Sequence, residues 1–228
     1  MASSAKSPQK KAKKQTTSGG VFRKFQATST DSLIVRQSYG GTPGLAFCYS
    51  EAADRLADTY TGQPIDDTIL LPYLFLYRHA IELRLKDLIL RGRRLNQLSK
   101  GCSVESSEEI RRDLQQRISH NLAGLLDELN PILDDLGVPP VSGDARNTIV
   151  NLSQNDPGGM SFRYMDAAAP GSDHVDFTRL REGLGRALET VTMLDDFLDA
   201  AAEPILEFAA DMNEEWSAIE AEIRSSLQ

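Results

Sequence analysis

The chain has only two cysteines, three histidines and one tryptophan in 228 residues, and no apolar run approaching the ~20 residues that a membrane span needs. Each scarcity excludes something. Cys48 and Cys102 stand far apart without Cys-x-x-Cys spacing, which gives no reason to invoke a secreted disulfide framework. With so few histidines and thiolates a transition-metal site is not expected, and no cofactor is expected either. Absent too are a Gly-rich phosphate loop with Lys-Ser or Lys-Thr, a Gly-x-Ser-x-Gly elbow and a His-Glu-x-x-His helix. The common nucleotide hydrolase, serine hydrolase and zinc protease classes therefore find no support. A soluble protein of a reducing cytoplasm, without membrane contact, is the expectation.

Acidic residues are missing from the basic N-terminal stretch. Residues 1–24 contain Lys6, Lys10, Lys11, Lys13, Lys14, Arg23 and Lys24 and no acid. Removing those seven positive charges from a chain of net charge -8 leaves a body at -15. So acidic a body is a poor general binder of nucleic acid, so such contact needs the tail or a local basic patch. Ser, Gln and Thr fill the rest of the tail. Residues 1–30 are thus expected to be a disordered basic extension: solubilising, polyanion-binding or, in a eukaryotic host, a nuclear-import signal at Lys10 to Lys14.

What is present is helical periodicity. Ser32–Tyr39 is the one stretch of strand character, closed by Gly40, Gly41, Pro43 and Gly44. Ala46–Tyr60 reads as a first helix and Asp66–Leu95 as a long central one containing Pro72. On the latter, Leu70, Leu74, Tyr77, Ile81, Leu85 and Leu88 share about 80° of arc. On its other side His79, Glu82 and Lys86 lie within about 60° of one another among Phe75, Leu76, Leu83, Ile89 and Leu90. Ala80, Arg84, Asp87 and Arg91 remain as a narrow solvent strip.

A polar loop is expected over residues 99–109. Leu122, Leu125, Leu126, Leu129, Ile132, Leu133 and Leu136 then make an amphipathic stretch with Ser119 as N-cap, kinked or split at Pro131. A short helix over Asp144–Leu152 precedes the turn Asp156-Pro157-Gly158-Gly159. From Phe177 to Met212 apolar residues recur in steps of three and four, a heptad seam broken by Pro204. Two uses of that seam stand side by side: a helix of the chain's own bundle, or pairing of its distal half with another subunit. The whole is expected to be all-α, an up-and-down bundle over residues 31–200 with a helical extension over 201–228 that is a candidate oligomerisation segment.

Three polar clusters are candidates for chemistry. In the first, Glu82 and Lys86 at i, i+4 form either a salt bridge within the helix or an orienting pair that lets Lys86 and His79 meet an anion. The second is Arg117, Ser119, His120 and Asn121. A histidine at a helix N-terminus has its charged form disfavoured by the dipole, which suits a general base. The third is the loop Ser161-Phe162-Arg163-Tyr164-Met165-Asp166, where a guanidinium and a phenol stand side by side. Such a pair clamps phosphate and stacks on a base, or Arg163 ties down Glu82 or Asp166 as a structural pair. Asp195 and Asp196 flank the seam and are expected to be solvated.

The order Tyr77-Arg78-His79-x-x-Glu82-Leu83-x-Leu85-Lys86, Ser119-His120-Asn121-Leu122-x-x-Leu125-Leu126 and Phe162-Arg163-Tyr164-x-Asp166 resembles bacterial proteins of the HEPN superfamily over about residues 65–200. The resemblance implies a bundle of four or five helices, often dimeric. It also implies an RNA- or nucleotide-binding protein of a defence or toxin-antitoxin type system, either a metal-independent ribonuclease or a non-catalytic binder. One departure stands out: active members resemble one another in an Arg-x4-6-His motif. Here ten residues separate Arg163 from His174 and two separate Arg117 from His120. For cleavage, His120 or His174 is the candidate base, with Arg163 or Lys86 stabilising the phosphorane. His79, Glu82, Lys86, Tyr164 and Asp166 are the candidate ligand-binding residues. The rival reading is a non-catalytic helical module that binds a helical partner or a second copy.

Overall fold

Helical periodicity carries through into the computed structural model, which describes residues 41–164 and 174–226 and contains no strand among them. The N-terminal tail and the Ser32–Tyr39 segment lie outside the described residues. Helix α1 spans Thr42–Ala57 and α2 Asp67–Ser99, joined through a 3-10 turn at Pro64–Asp66. There follow α3 (Ser107–Arg117), α4 (Leu122–Asp135), α5 (Gly143–Asn155), α6 (Ser161–Tyr164) and α7 (Phe177–Ser226). The fold is all-α, a helical bundle ending in a long helix.

Helix α2 is the axis of the bundle, packed by α1, α3, α4, α6 and α7. Tyr73, Tyr77, Ile81, Leu85 and Leu88 are buried along one stripe and Ile89 and Leu90 on the other side. A fully buried Leu or Ile contributes about 2 kcal/mol by leaving water, so this one helix organises the core from several directions at once. Pro72 sits within the second turn of an unbroken helix, where it forgoes the one hydrogen bond that a residue there would make to the Thr68 carbonyl. Gly92 marks the closest crossing: a Cβ there would lie 2.6 Å from Cγ2 of Ile132 on α4.

Several boundaries differ from the sequence expectation, each for a local reason. Helix α1 begins at Thr42 and not Ala46, because Pro43 falls in its first turn, where a proline is pre-organised for helix. The polar stretch after residue 99 gives way at Ser107 to α3, which starts on a capping box: Ser106 accepts from the Glu109 backbone while the Glu109 carboxylate takes the Ser106 N–H. Its few apolar residues, Ile110 and Leu114, are both buried. The N-cap of α4 is Asn121, whose Oδ1 accepts from Gly124 N at 3.1 Å, and not Ser119. Helix α4 runs unbroken through Pro131, and α7 unbroken through Pro204.

The strip assigned to solvent on α2 is a correction of another kind. Ala80 is fully buried and Arg84 is 8% exposed. Arg84 reaches Asp195 on α7 at 2.5 Å, Arg91 reaches the same carboxylate at 2.9 Å, and Arg91 also pairs with Asp199. Asp195 is therefore not a solvated neighbour of the seam. It is the acid that docks α7 on α2.

Candidate functional site

A buried carboxylate with three side-chain partners stands at the centre of the polar network: Glu82, one turn beyond Arg78 on α2 and 3% exposed. Its Oε2 accepts from Arg78 Nη1 at 3.0 Å, and its Oε1 accepts from Lys86 Nζ at 2.7 Å and meets His120 Nδ1 at 2.8 Å. Burial by itself pushes the Glu82 carboxyl up, but the hydrogen bonds and charges of Lys86 and His120 outweigh it and hold it below the ordinary range. The carboxylate is thus ionised, and an ionised carboxylate only accepts. It fixes the proton of a neutral His120 on Nδ1 and leaves the lone pair on Nε2.

Arg78 anchors this arrangement from beneath. Its Nη2 donates to the carbonyl of His120 at 2.6 Å and to that of Asp156 at 3.1 Å, and its Nε lies 3.0 Å from the Asp156 carboxylate. Asp156 is fully buried, and its other oxygen accepts from the backbone of Ser161 at 2.8 Å. The turn Asp156–Gly159 wraps over the guanidinium so closely that a Cβ on Gly159 would lie 3.0 Å from Arg78 Nη1. One buried cation therefore ties the α3–α4 junction and the α5–α6 turn to α2.

The junction itself is under tension. Ser119 has φ 56°, a left-handed conformation that a side chain disfavours, and its N–H closes back on Leu114 O at 2.8 Å. Two residues on, Asn121 Oδ1 accepts from Ser153 of α5 at 3.1 Å, and Ser153 Oγ accepts from Ala123 N at 3.2 Å. His120 is thus held from both flanks, by its own carbonyl and by its ring. The inner part of the network is closed to water, whereas the His120 side chain is 42% exposed and that of Lys86 22%.

The structure redistributes the residues nominated from sequence. It brings Glu82, Lys86 and His120 together across 38 residues of chain. His79 packs elsewhere, its ring edge-on to Tyr49 of α1 at 4.4 Å and stacked with Phe75 at 6.0 Å. Arg117 turns away from His120 to Asp113, at 2.6 Å, and Glu128, where Arg93 joins it. His174 is exposed three residues before α7. Arg163 and Tyr164 end α6, but their side chains lie outside the described residues, as does Asp166 altogether. The residue that sequence reasoning passed over is Arg78. Its signal was available: an arginine at i, i-4 from a glutamate on a helix with hardly any solvent face.

A separate groove of about 870 Å³ runs between α5 and α7, with Leu74 and Phe162 at its apolar floor and Asn151, Arg179 and Arg186 among its polar walls. It does not include Glu82, Lys86 or His120. Among the described residues no group of three or more His, Cys, Asp or Glu side chains could hold a metal ion. No helix among them is long and apolar enough to cross a membrane.

The protein is an all-α helical bundle whose central helix carries a buried Arg-Glu-Asp network with a histidine and a lysine at its rim. No family model, curated protein or solved structure matches the chain.

Proposed function

We propose that this chain is a HEPN-like protein that binds RNA or a nucleotide through phosphate, in a defence or toxin-antitoxin type system, with His120 and Lys86 as the phosphate-facing pair. One observation carries the reading: Lys86 Nζ and His120 Nδ1 converge on the same oxygen of Glu82, at 2.7 and 2.8 Å. An ammonium and the Nδ1–H of an imidazole are thereby fixed on one oxygen at the edge of a rigid, buried frame, which leaves Nε2 as the proton acceptor. A carboxylate that orients a histidine in this way raises its competence as a base.

In the ribonuclease form of the proposal, His120 Nε2 takes the proton of a ribose 2'-hydroxyl as that oxygen attacks phosphorus. Lys86 stabilises the phosphorane charge, and the departing 5'-oxygen takes a proton from water. His174 and Arg163 are the competing base and anion-binding groups. The second reading, a non-catalytic helical interaction module, is favoured by the exposed apolar residues of distal α7.

The test is incubation of the full chain and its His120→Ala, His174→Ala and Lys86→Ala variants with labelled single-stranded and structured RNAs in EDTA. Binding that falls tenfold or more in His120→Ala and Lys86→Ala, with helical content retained, supports the site. Chelator-resistant cleavage abolished by His120→Ala makes it a ribonuclease. Neither binding nor cleavage overturns the proposal in favour of the interaction module.

A further inference from the structure

The seam of α7 does not stop where the bundle stops. Leu184, Ala187, Val191, Leu194 and Leu198 are buried along it, and Ala201 and Ile205 still touch the core. The same face then continues into solvent: Phe208 is 60% exposed, Met212 36%, Trp216 60%, Ile219 46% and Ile223 54%. At 100° per residue these five and Ile205 fall within about 80° of arc. Large apolar side chains lined up on one exposed face mark an interaction surface, in contrast to scattered singletons.

The spacing defines how a partner packs. Steps of three and four continue to Met212, and a second step of four then reaches Trp216. Ile205 and Trp216, Phe208 and Ile219, and Met212 and Ile223 thus each stand eleven residues apart. An eleven-residue repeat keeps a helix pair straight or slightly right-handed, unlike the left-handed heptad that precedes it.

The charge pattern defines who the partner is. From Asp199 to Ser226 there are eight acids and one base, Arg224. Glu203, Glu207, Asp211 and Glu215 follow one another at i, i+4, so each repels the next along the helix. Asp211, Glu215 and Glu222 border one side of the seam. A second copy in antiparallel contact sets those borders against each other, and in parallel contact it adds the same acidic helix without a compensating base. Nucleic acid and anionic lipid surfaces are repelled on the same ground.

We infer that distal α7, from Phe208 to Ile223, is a docking helix for a cationic amphipathic helix of another protein, with its apolar seam on this face and lysine or arginine along the Asp211–Glu215–Glu222 border. This inference is independent of the phosphate site. Trp216 is the only tryptophan of the chain and sits in the seam, so its fluorescence reports this surface alone.

The experiment titrates the full chain with three synthetic 28-residue helical peptides and follows Trp216 emission, with sedimentation on the free chain. One peptide has leucine on the eleven-residue spacing and lysine flanks, one has the same leucines with glutamate flanks, and one has the lysines with serine in place of leucine. A saturable blue shift is expected with the first peptide alone. It should weaken at least tenfold between 50 and 300 mM salt and disappear in the Phe208→Ser/Ile219→Ser variant, whose helical content is measured alongside. Three results overturn the inference: no shift with the lysine-leucine peptide, an equal shift with the serine peptide, or a free chain that is already dimeric with blue-shifted emission. The last of these makes the occupant a second copy.

Discussion

Arg78 and Asp156 meet in the interior across 78 residues of chain, the guanidinium Nε 3.0 Å from the carboxylate and Nη2 on the Asp156 carbonyl. Neither Nε nor the facing Asp156 Oδ2 has an aligned hydrogen bond, so this part of the pair is a contact of charge; the directional bonds run from the outer nitrogens to Glu82 and to two backbone carbonyls. With side chains 3% and 0% exposed, neither partner has water to fall back on. Replacing Arg78 by Ala leaves the buried Asp156 carboxylate without its cation and takes from Glu82 one of its three partners. The expected loss is about 3–5 kcal/mol, read by urea unfolding. Arg78→Lys recovers little of it, because a single ammonium cannot reach four acceptors set around a planar fork. A loss under about 1 kcal/mol would show that these carboxylates are not buried as described.

Gly159 supplies an independent check on the same frame. Its φ is +70° and its missing Cβ would press on Arg78 Nη1 at 3.0 Å and His120 Cβ at 3.4 Å, whereas its neighbour Gly158 has nothing within 4 Å. Gly159→Ala is therefore expected to cost about 1–3 kcal/mol and, by shifting Arg78 and the His120 carbonyl it holds, to weaken the RNA binding proposed for that site. Gly158→Ala should leave both properties near wild type. Equal behaviour of the two variants contradicts the wrapped turn.

The pattern of the sequence shows the long helices and hides the network. The α2, α4 and α7 stripes are legible because each repeats over many turns, and Ile81, Leu126 and Val191 are all fully buried where periodicity puts them. Helix α3 has only two core residues, so its evidence lay in capping chemistry at Ser106 and Glu109 and not in periodicity. Glu82 and Lys86 are readable as an i, i+4 pair. That His120 and not His79 completes them depends on where α4 begins, which Ser119 and Asn121 decide through backbone geometry. Arg84 and Arg91 looked solvent-facing because nothing local reveals that Asp195, more than a hundred residues on, closes over them.

Acid should loosen the bundle through carboxylates held low, Asp113 and Glu82 among them. Asp113 is brought down to about 2, chiefly by its hydrogen bond to Arg117 with Arg93 assisting, while Glu82 is lowered by Lys86 and His120 against the effect of burial. A carboxyl lowered by folding stabilises the native state above its ordinary range, and that contribution is lost as pH falls through the folded value. The expected result is a flat melting temperature from pH 7 to about 5 and a steep fall below about 4, where unfolded Asp and Glu start to take up protons. Glu82→Gln should lower the neutral plateau and flatten the fall. A fall that is unchanged in that variant assigns the acid transition to other groups.

Asp87 works in the opposite direction and gives the sharper test of sign. It stands on α2 between Arg84 and Arg91 in sequence, its Oδ2 is buried without a hydrogen-bond partner, and burial pushes its carboxyl up. Arg91, Arg84 and Arg111 draw it down and Asp195 raises it, yet desolvation prevails. A raised carboxyl favours the protonated fold: its contribution is present below the ordinary unfolded value and is lost as pH rises through the folded one. Ionising Asp87 therefore costs the fold more than it costs the unfolded chain. Asp87→Asn keeps the shape and removes the ionisation, so it should raise the melting temperature at pH 7 by on the order of 2 °C. The gain should shrink toward zero as pH falls below the ordinary Asp range, where Asp87 takes up its proton in both states. Destabilisation at pH 7 would mean that the arginines on either side attract Asp87 more strongly than its burial repels the charge.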